Sequence, residues 1–136
     1  GPIHHVGSTA VPHLPAKPVI DLLATVPSIA AAASAHGVLD KAGWSLVPPE
    51  LDERPWRRMY VLTEGDRRTA HLHLVDVNHT RAHDELMFRD KLREDADLAN
   101  RYAQLKKSAA NAHRDDREAY TAAKTDFIRE VLDATT

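Results

Sequence analysis

The rhythm of apolar and polar positions changes a little past the middle of the chain. Up to residue 77, apolar residues come in short runs separated by turn-forming residues. Beyond that point they recur every three or four residues, the period of helices that bury one face. The first part therefore reads as strands and turns, and the second as helices. Ile3–Val6 is a short strand, and Ser8–Leu14 a turn containing one helical turn. Pro18–Val26 is apolar and bounded by prolines, which reads as a buried strand. Ser28–Ala42 is Ala-rich and predicts a helix crossing back over the sheet. Ser28 caps it, and Gly37 and Gly43 interrupt or end it. Trp44–Val47 is a short strand that Pro48-Pro49 breaks. Trp56–Thr63 and Thr69–Val77 are strands joined by the hairpin-like Glu64-Gly65-Asp66-Arg67. In the second of these, Ala70, Leu72 and Leu74 alternate with His71, His73 and Val75, so both histidines share one face.

Three helices follow. Thr80–Arg93 is the first. Asp97–Ala112 is the second, with Leu98, Tyr102, Leu105 and Ala109 on one stripe. Asp115–Leu132 is the third, opened by Asp115 and Glu118 in a capping-box-like arrangement. Its stripe is Tyr120, Ala123, Phe127 and Val131. No internal repeat or interdomain linker interrupts the pattern. Residues 1–136 thus predict a single α+β or α/β-like domain: a mixed β-sheet of four to five strands with helices packed on it, the C-terminal half helical.

Composition adds mainly exclusions. The 136 residues are 43% hydrophobic and 28% charged, as in an ordinary globular domain. A net charge of −2 leaves no global basic field to recruit nucleic acid. With no cysteine there are no disulfides or thiolate metal sites. No apolar run approaches the roughly 20 residues that span a bilayer, and no signal peptide is visible, so the cytoplasm is the default compartment. The chain starts at Gly1-Pro2 and enters a strand at once, so an upstream segment is expected to be missing.

Two constellations can carry chemistry. In His5-Val6-Gly7-Ser8-Thr9-Ala10-Val11-Pro12, a small-residue turn follows an apolar lead-in. Gly7, Ser8 and Thr9 can cradle a phosphate, because glycine permits close backbone approach. Asp21, inside Val19-Ile20-Asp21-Leu22-Leu23, can hold a metal there, and an unpaired carboxylate in that run would be costly. Lys17 adds a cation. The second constellation is His71-x-His73, two imidazoles roughly 6–7 Å apart at the backbone. They can ligate one metal, contact phosphates or shuttle protons. Arg57, Arg58, Arg67 and Arg68 flank the hairpin, and arginine suits phosphate. Most helix charges read as a solvated face, Lys106-Lys107 among them, while Phe88-Arg89-Asp90 dips toward the sheet.

Together these segments resemble the GrpB family, within the nucleotidyltransferase-fold superfamily. The resemblance runs through His5–Pro12, Ala16–Asp21, Thr69–Val75, Leu86–Arg93, Tyr102–Lys106, and Asp116–Tyr120 with Lys124. Family members usually carry a segment before the first motif, consistent with a missing N-terminal piece. In actinobacteria a similar domain follows dephospho-CoA kinase. The resemblance implies phosphate binding at Gly7 and Ser8 and a metal role for Asp21. Active nucleotidyltransferases carry a second acid two residues after the first, and this chain has Leu23. A two-Mg²⁺ site needs clustered carboxylates. One Zn²⁺ or Mn²⁺ on Asp21, His71 and His73 suits the ligands better, as does a metal-free site in which the histidines grip phosphate. The expectation is a nucleotidyltransferase-like protein that binds a nucleotide or other phosphorylated small molecule. Gly7, Ser8, Thr9, Lys17, Arg57 and Arg58 would contact phosphate. Asp21, His71 and His73 would form the metal or acid–base centre of a nucleotidyl or phosphoryl transfer. The alternative is a non-catalytic ligand-binding or regulatory module.

Overall fold

In the computed structural model, which describes residues 3–12, 14, 19–112 and 116–134, the first part of the chain forms one five-stranded sheet. Its strands are β1 (His4–Val6), β2 (Ile20–Val26), β3 (Trp44–Leu46), β4 (Arg57–Glu64) and β5 (Arg67–Asp76). They lie in the order β1-β2-β5-β4-β3. Only the central β2–β5 pair is parallel. The helices are α1 (Ile29–Ala32), α2 (His36–Lys41), α3 (Pro49–Asp52), α4 (Thr80–Glu94), α5 (Ala96–Ala112) and α6 (Arg117–Asp133). Short 3₁₀ turns occupy Ser8–Ala10 and Ala33–Ala35. The expected mixed sheet with a helical C-terminal part is therefore what forms. Among the described residues no helix is long and apolar enough to cross a membrane.

Strand alternation sorts the sheet residues onto two faces. On one, Val6, Leu23 and Val75 are buried against Ala82 of α4, with Trp56 and Leu86 closing the cluster. Leu23 and Val75 are 0% and 1% exposed, and burying a side chain of this size stabilises by roughly 1.5–3 kcal/mol. On the other face, Tyr60, Leu72 and Leu74 pack on Ala32, with Leu39, Trp44 and Leu46 beside them. A third cluster joins the helices. Leu92, Ala99 and Tyr102 pack with Phe88, Phe127 and Val11. The Phe88 and Tyr102 rings meet edge-on at 5.1 Å, and Tyr102 stacks on Phe127 at 5.5 Å.

The structure corrects several local expectations. The helix over residues 28–42 is broken into three pieces, and Gly37 is not the cause, since it lies inside α2. Ser28 does cap α1, accepting from the Ala31 N–H at 3.1 Å. The break follows where Ser34 Oγ donates back to the Ala31 carbonyl at 2.7 Å, a local bond that competes with the helical ladder. Pro48-Pro49 ends β3 but also starts α3, because proline suits a first helical position. β2 is half-buried, with Ile20 46% exposed. The hairpin turn is only Gly65-Asp66, with φ 63° at Gly65. The cap of α6 is Asp116, accepting from the Ala119 N–H at 3.0 Å, and Asp115 lies outside the described residues.

Candidate phosphate and metal site

The parallel pairing of β2 and β5 sets Asp21 beside His71 and Leu23 beside His73. Parallel partners point to the same face, so both rings and the carboxylate project together. His71 Nδ1 lies 3.2 Å from Asp21 Oδ1, and His73 Nε2 lies 3.3 Å from the same oxygen. On β4, Met59 is the cross-strand neighbour of His73, and Arg57 shares its face two residues earlier. The Arg57 guanidinium reaches back so that Nη1 stands 3.3 Å from His73 Nδ1. Arg57 is anchored from behind by Asp52 of α3. Its Nε donates to Asp52 Oδ2 at 3.1 Å, and its Nη2 donates to Asp52 Oδ1.

Both carboxylates are held below their ordinary range. Burial alone would raise Asp21, but the hydrogen bonds from His73 and His71, and the charge those rings carry when protonated, outweigh it. For Asp52 the Arg57 hydrogen bond dominates, and burial opposes it. A continuous chain of contacts thus runs from Asp52 through Arg57, His73 and Asp21 to His71. The apolar run around Asp21 does not leave its carboxylate unpaired.

The turn comes in over this carboxylate. Gly7 has φ 76°, a conformation that costs glycine little. Two arginines from α4 fix its neighbours: Arg89 Nη1 donates to the His5 carbonyl at 3.1 Å, and Arg93 Nε to the Ala10 carbonyl at 2.8 Å. Ser8 Oγ accepts from Lys106 Nζ of α5 at 2.6 Å. Between this layer and the helices is a cleft of about 380 Å³. Gly7, Ser8, Asp21, Arg57 and His73 line one wall, and Arg81 of α4 and Lys124 of α6 line another. Burial lowers the Lys124 ammonium from its usual range, with Arg81 adding to the effect and Asp21 opposing it. Lys106 is lowered by burial and then by Lys124.

Of the residues singled out in the sequence, Gly7, Ser8, Asp21, Arg57 and His73 meet at the cleft, and His71 flanks Asp21. Thr9 turns elsewhere, its hydroxyl 2.7 Å from His5 Nε2. Arg58 is on the opposite face of β4, because adjacent strand residues alternate, and it donates to the Arg57 carbonyl at 3.0 Å. Arg67 and Arg68 are exposed at the hairpin end. Lys17 lies outside the described residues. Lys106 is not plain helix surface, and Lys124, Asp52 and Arg81 also went unassigned to the site. One signal was available for the lysines. Tyr102-x-x-x-Lys106 and Tyr120-x-x-x-Lys124 share a spacing, and each ammonium sits over its tyrosine ring, at 5.2 and 5.4 Å.

The donor atoms of Asp21, His71 and His73 lie within 4.8 Å of one another. Ligands on one tetrahedral ion stand roughly 3.3 Å apart, close to the two distances at Asp21 Oδ1. One carboxylate and two imidazoles are a donor set for a single zinc- or manganese-like ion.

These features define an α+β protein whose central parallel strand pair carries a carboxylate and two imidazoles beneath a glycine turn. A family model described as GrpB protein matches residues 2–134, and the chain belongs to the GrpB family. It is 35% identical over 127 residues to UPF0157 protein YqkA of Bacillus subtilis, covering 93% of this chain and 36% of that protein. It is 30% identical over 132 residues to the glutamate-rich protein GrpB of Alkalihalophilus pseudofirmus, covering 96% of this chain and 76% of that protein. UPF0157 protein SCO7215 of Streptomyces coelicolor is 35% identical over 126 residues, which is 93% of this chain and 64% of that protein. The chain thus spans between about a third and three quarters of the lengths of these relatives. The crystal structure of conserved protein GrpB from Enterococcus faecalis superposes with a TM-score of 0.79 at 31% identity, covering 98% of this chain and 81% of that one.

Proposed function

We propose that the chain binds a nucleotide or another phosphorylated small molecule in the cleft between the sheet and the C-terminal helices. The observation that carries this reading is the convergence of the Gly7-Ser8 turn, Asp21 and Lys124 on one cavity of ligand size. Ser8 and the backbone at Gly7 hold phosphate oxygens, and Lys124 and Lys106 offset their charge. Arg81 sits on the far wall, already paired with Glu85 at 2.8 Å. Asp21 is ionised and accepts bonds from donor groups. A divalent ion that enters the cleft with a phosphorylated ligand would be held by Asp21 and would neutralise charge on the phosphate.

One observation favours a binding or regulatory module over two-metal transfer. Leu23 stands where active nucleotidyltransferases carry their second acid, and it is fully buried under α4. The clustered carboxylates that two-metal chemistry requires are therefore missing from β2.

The test is a thermal-shift panel of nucleotides, sugar phosphates and inorganic phosphate, each with and without divalent cation. Ligand at 100 times its dissociation constant should stabilise the protein by about 2.7 kcal/mol. Asp21→Asn and Ser8→Ala should each reduce that shift. A panel in which no phosphorylated compound moves the melting temperature, or shifts that survive both substitutions intact, would overturn the reading.

A further inference from the structure

We infer that Arg57 is a positioning residue that withholds His73 from metal ions by fixing which ring nitrogen carries the proton. A guanidinium has donors only. His73 Nδ1, 3.3 Å from Arg57 Nη1, is therefore the acceptor, and the ring proton sits on Nε2, directed at Asp21 Oδ1. A cation can bind Nε2 only if that nitrogen is bare. The proton then moves to Nδ1, where it meets the Arg57 N–H head-on. Metal-bound imidazoles donate their second N–H outward to an acceptor, and Arg57 is the opposite of one.

Arg57 has little freedom to step aside. Asp52 grips it through two guanidinium nitrogens, and the two side chains are 11% and 6% exposed. His71 points the same way. With its Nδ1 donating to Asp21, its buried Nε2 is a bare acceptor with no partner among the described residues. Ligation through Nδ1 would put the ring proton on Nε2, a buried N–H with nothing among the described residues to accept it. The donor atoms sit at metal-like spacing, yet their protons are arranged for a carboxylate receiving two imidazole N–H bonds. The inference concerns the same cluster as the proposed function but holds whatever molecule fills the cleft.

The experiment uses the full chain with no phosphorylated compound present, so its outcome is independent of the ligand reading. Long-range ¹H–¹⁵N correlation spectra of the metal-free protein should show His73 protonated on Nε2. Zn²⁺ affinity is then measured by equilibrium dialysis. Arg57→Gln puts an amide oxygen where the guanidinium stood, able to accept from Nδ1–H. Its Zn²⁺ affinity should rise roughly 10–100-fold, and adding His73→Ala should abolish the gain. Because Arg57→Gln strands the Asp52 carboxylate, the Asp52→Asn/Arg57→Gln double variant is run alongside with the same expectation. A native His73 protonated on Nδ1 overturns the inference by itself, even if neither variant folds. Folded variants that bind Zn²⁺ no tighter than the native chain overturn it as well.

Discussion

A β-carbon on Gly7 would stand 2.8 Å from Asp21 Oδ2 and 3.2 Å from Asp21 Cβ. The turn and the carboxylate are thus within one atom of each other, although fourteen positions separate them in the chain. Asp21 cannot swing away cheaply, since its other oxygen is tied to both His71 and His73. Gly7→Ala therefore faces two penalties, a left-handed φ of 76° and a clash with a tethered group. It should lower the unfolding free energy by roughly 1–3 kcal/mol. Urea denaturation reads this directly, and a midpoint equal to that of the native chain would show that the turn relaxes away from the site.

The Asp52–Arg57 pair gives the second prediction, because it is the most buried ion pair among the described residues. Asp52→Asn leaves the Arg57 charge without a carboxylate and should cost roughly 3–5 kcal/mol, a large part of a domain's total stability. The sign with pH follows from the lowered carboxyl groups. Asp52 and Asp21 both release their protons below the ordinary value of 3.8 in the folded chain. The unfolded chain therefore takes up protons first as pH falls. The contribution is fully present above that value and is lost as the pH drops below it. Asp52→Asn should have a shallower acid limb in a series of urea melts, and an unchanged slope would place the acid sensitivity elsewhere.

Much of this was legible in the sequence, for physical reasons that differ by residue. The His71-x-His73 pair reads correctly because strand alternation is strict, and β5 is long enough to show it. Asp21 stands out because ionised groups rarely sit in apolar runs. The convergence of β2 with β5 is a parallel pairing between segments some fifty residues apart, which no local pattern encodes. Arg57 and Arg58 are adjacent and chemically identical, and only the register of β4 decides which one faces the cleft. Lys106 was hidden by its surroundings. Beside Lys107 it resembles a solvated helix face, and only the packing of α5 over the turn brings it to Ser8. Asp52 was hidden because its helix, α3, has only four residues and follows two prolines that read as a break.

The two walls of the site give a paired test. Lys124 lines the cleft from α6 and has no ion pair among the described residues, whereas Arg58 is on the far face of the sheet. Lys124→Met should reduce affinity for a phosphorylated ligand about tenfold or more, since a charge-assisted hydrogen bond contributes roughly 1.5–3 kcal/mol. Arg58→Met should leave affinity unchanged. Burial already lowers the Lys124 ammonium below its ordinary value of 10.5. Affinity should therefore decline as pH rises, starting below the pH at which ordinary lysines lose their charge. Isothermal titration at several pH values measures both effects, and equal losses in the two variants would contradict the placement of the ligand.

Tyr102 offers a probe of the helical core that supports the Lys106 wall. Burial, and then Tyr120, push its hydroxyl up to about 12, while its ring packs between Phe88 and Phe127. Burial also raises Tyr60 above the ordinary 10.0, so among the three tyrosines of the chain the phenolate absorbance should show its last step at Tyr102, and Tyr102→Phe should remove that step near 12. The linkage runs opposite to that of the carboxylates. The unfolded chain releases this proton near 10.0 and the folded chain near 12, so the stabilising contribution is complete below 10 and is lost as pH rises between the two. Alkaline urea melts of the native chain should therefore weaken across that interval, and those of Tyr102→Phe should weaken less. If all three tyrosines ionise together near the ordinary value, Tyr102 is open to solvent and α5 does not close over the turn as described.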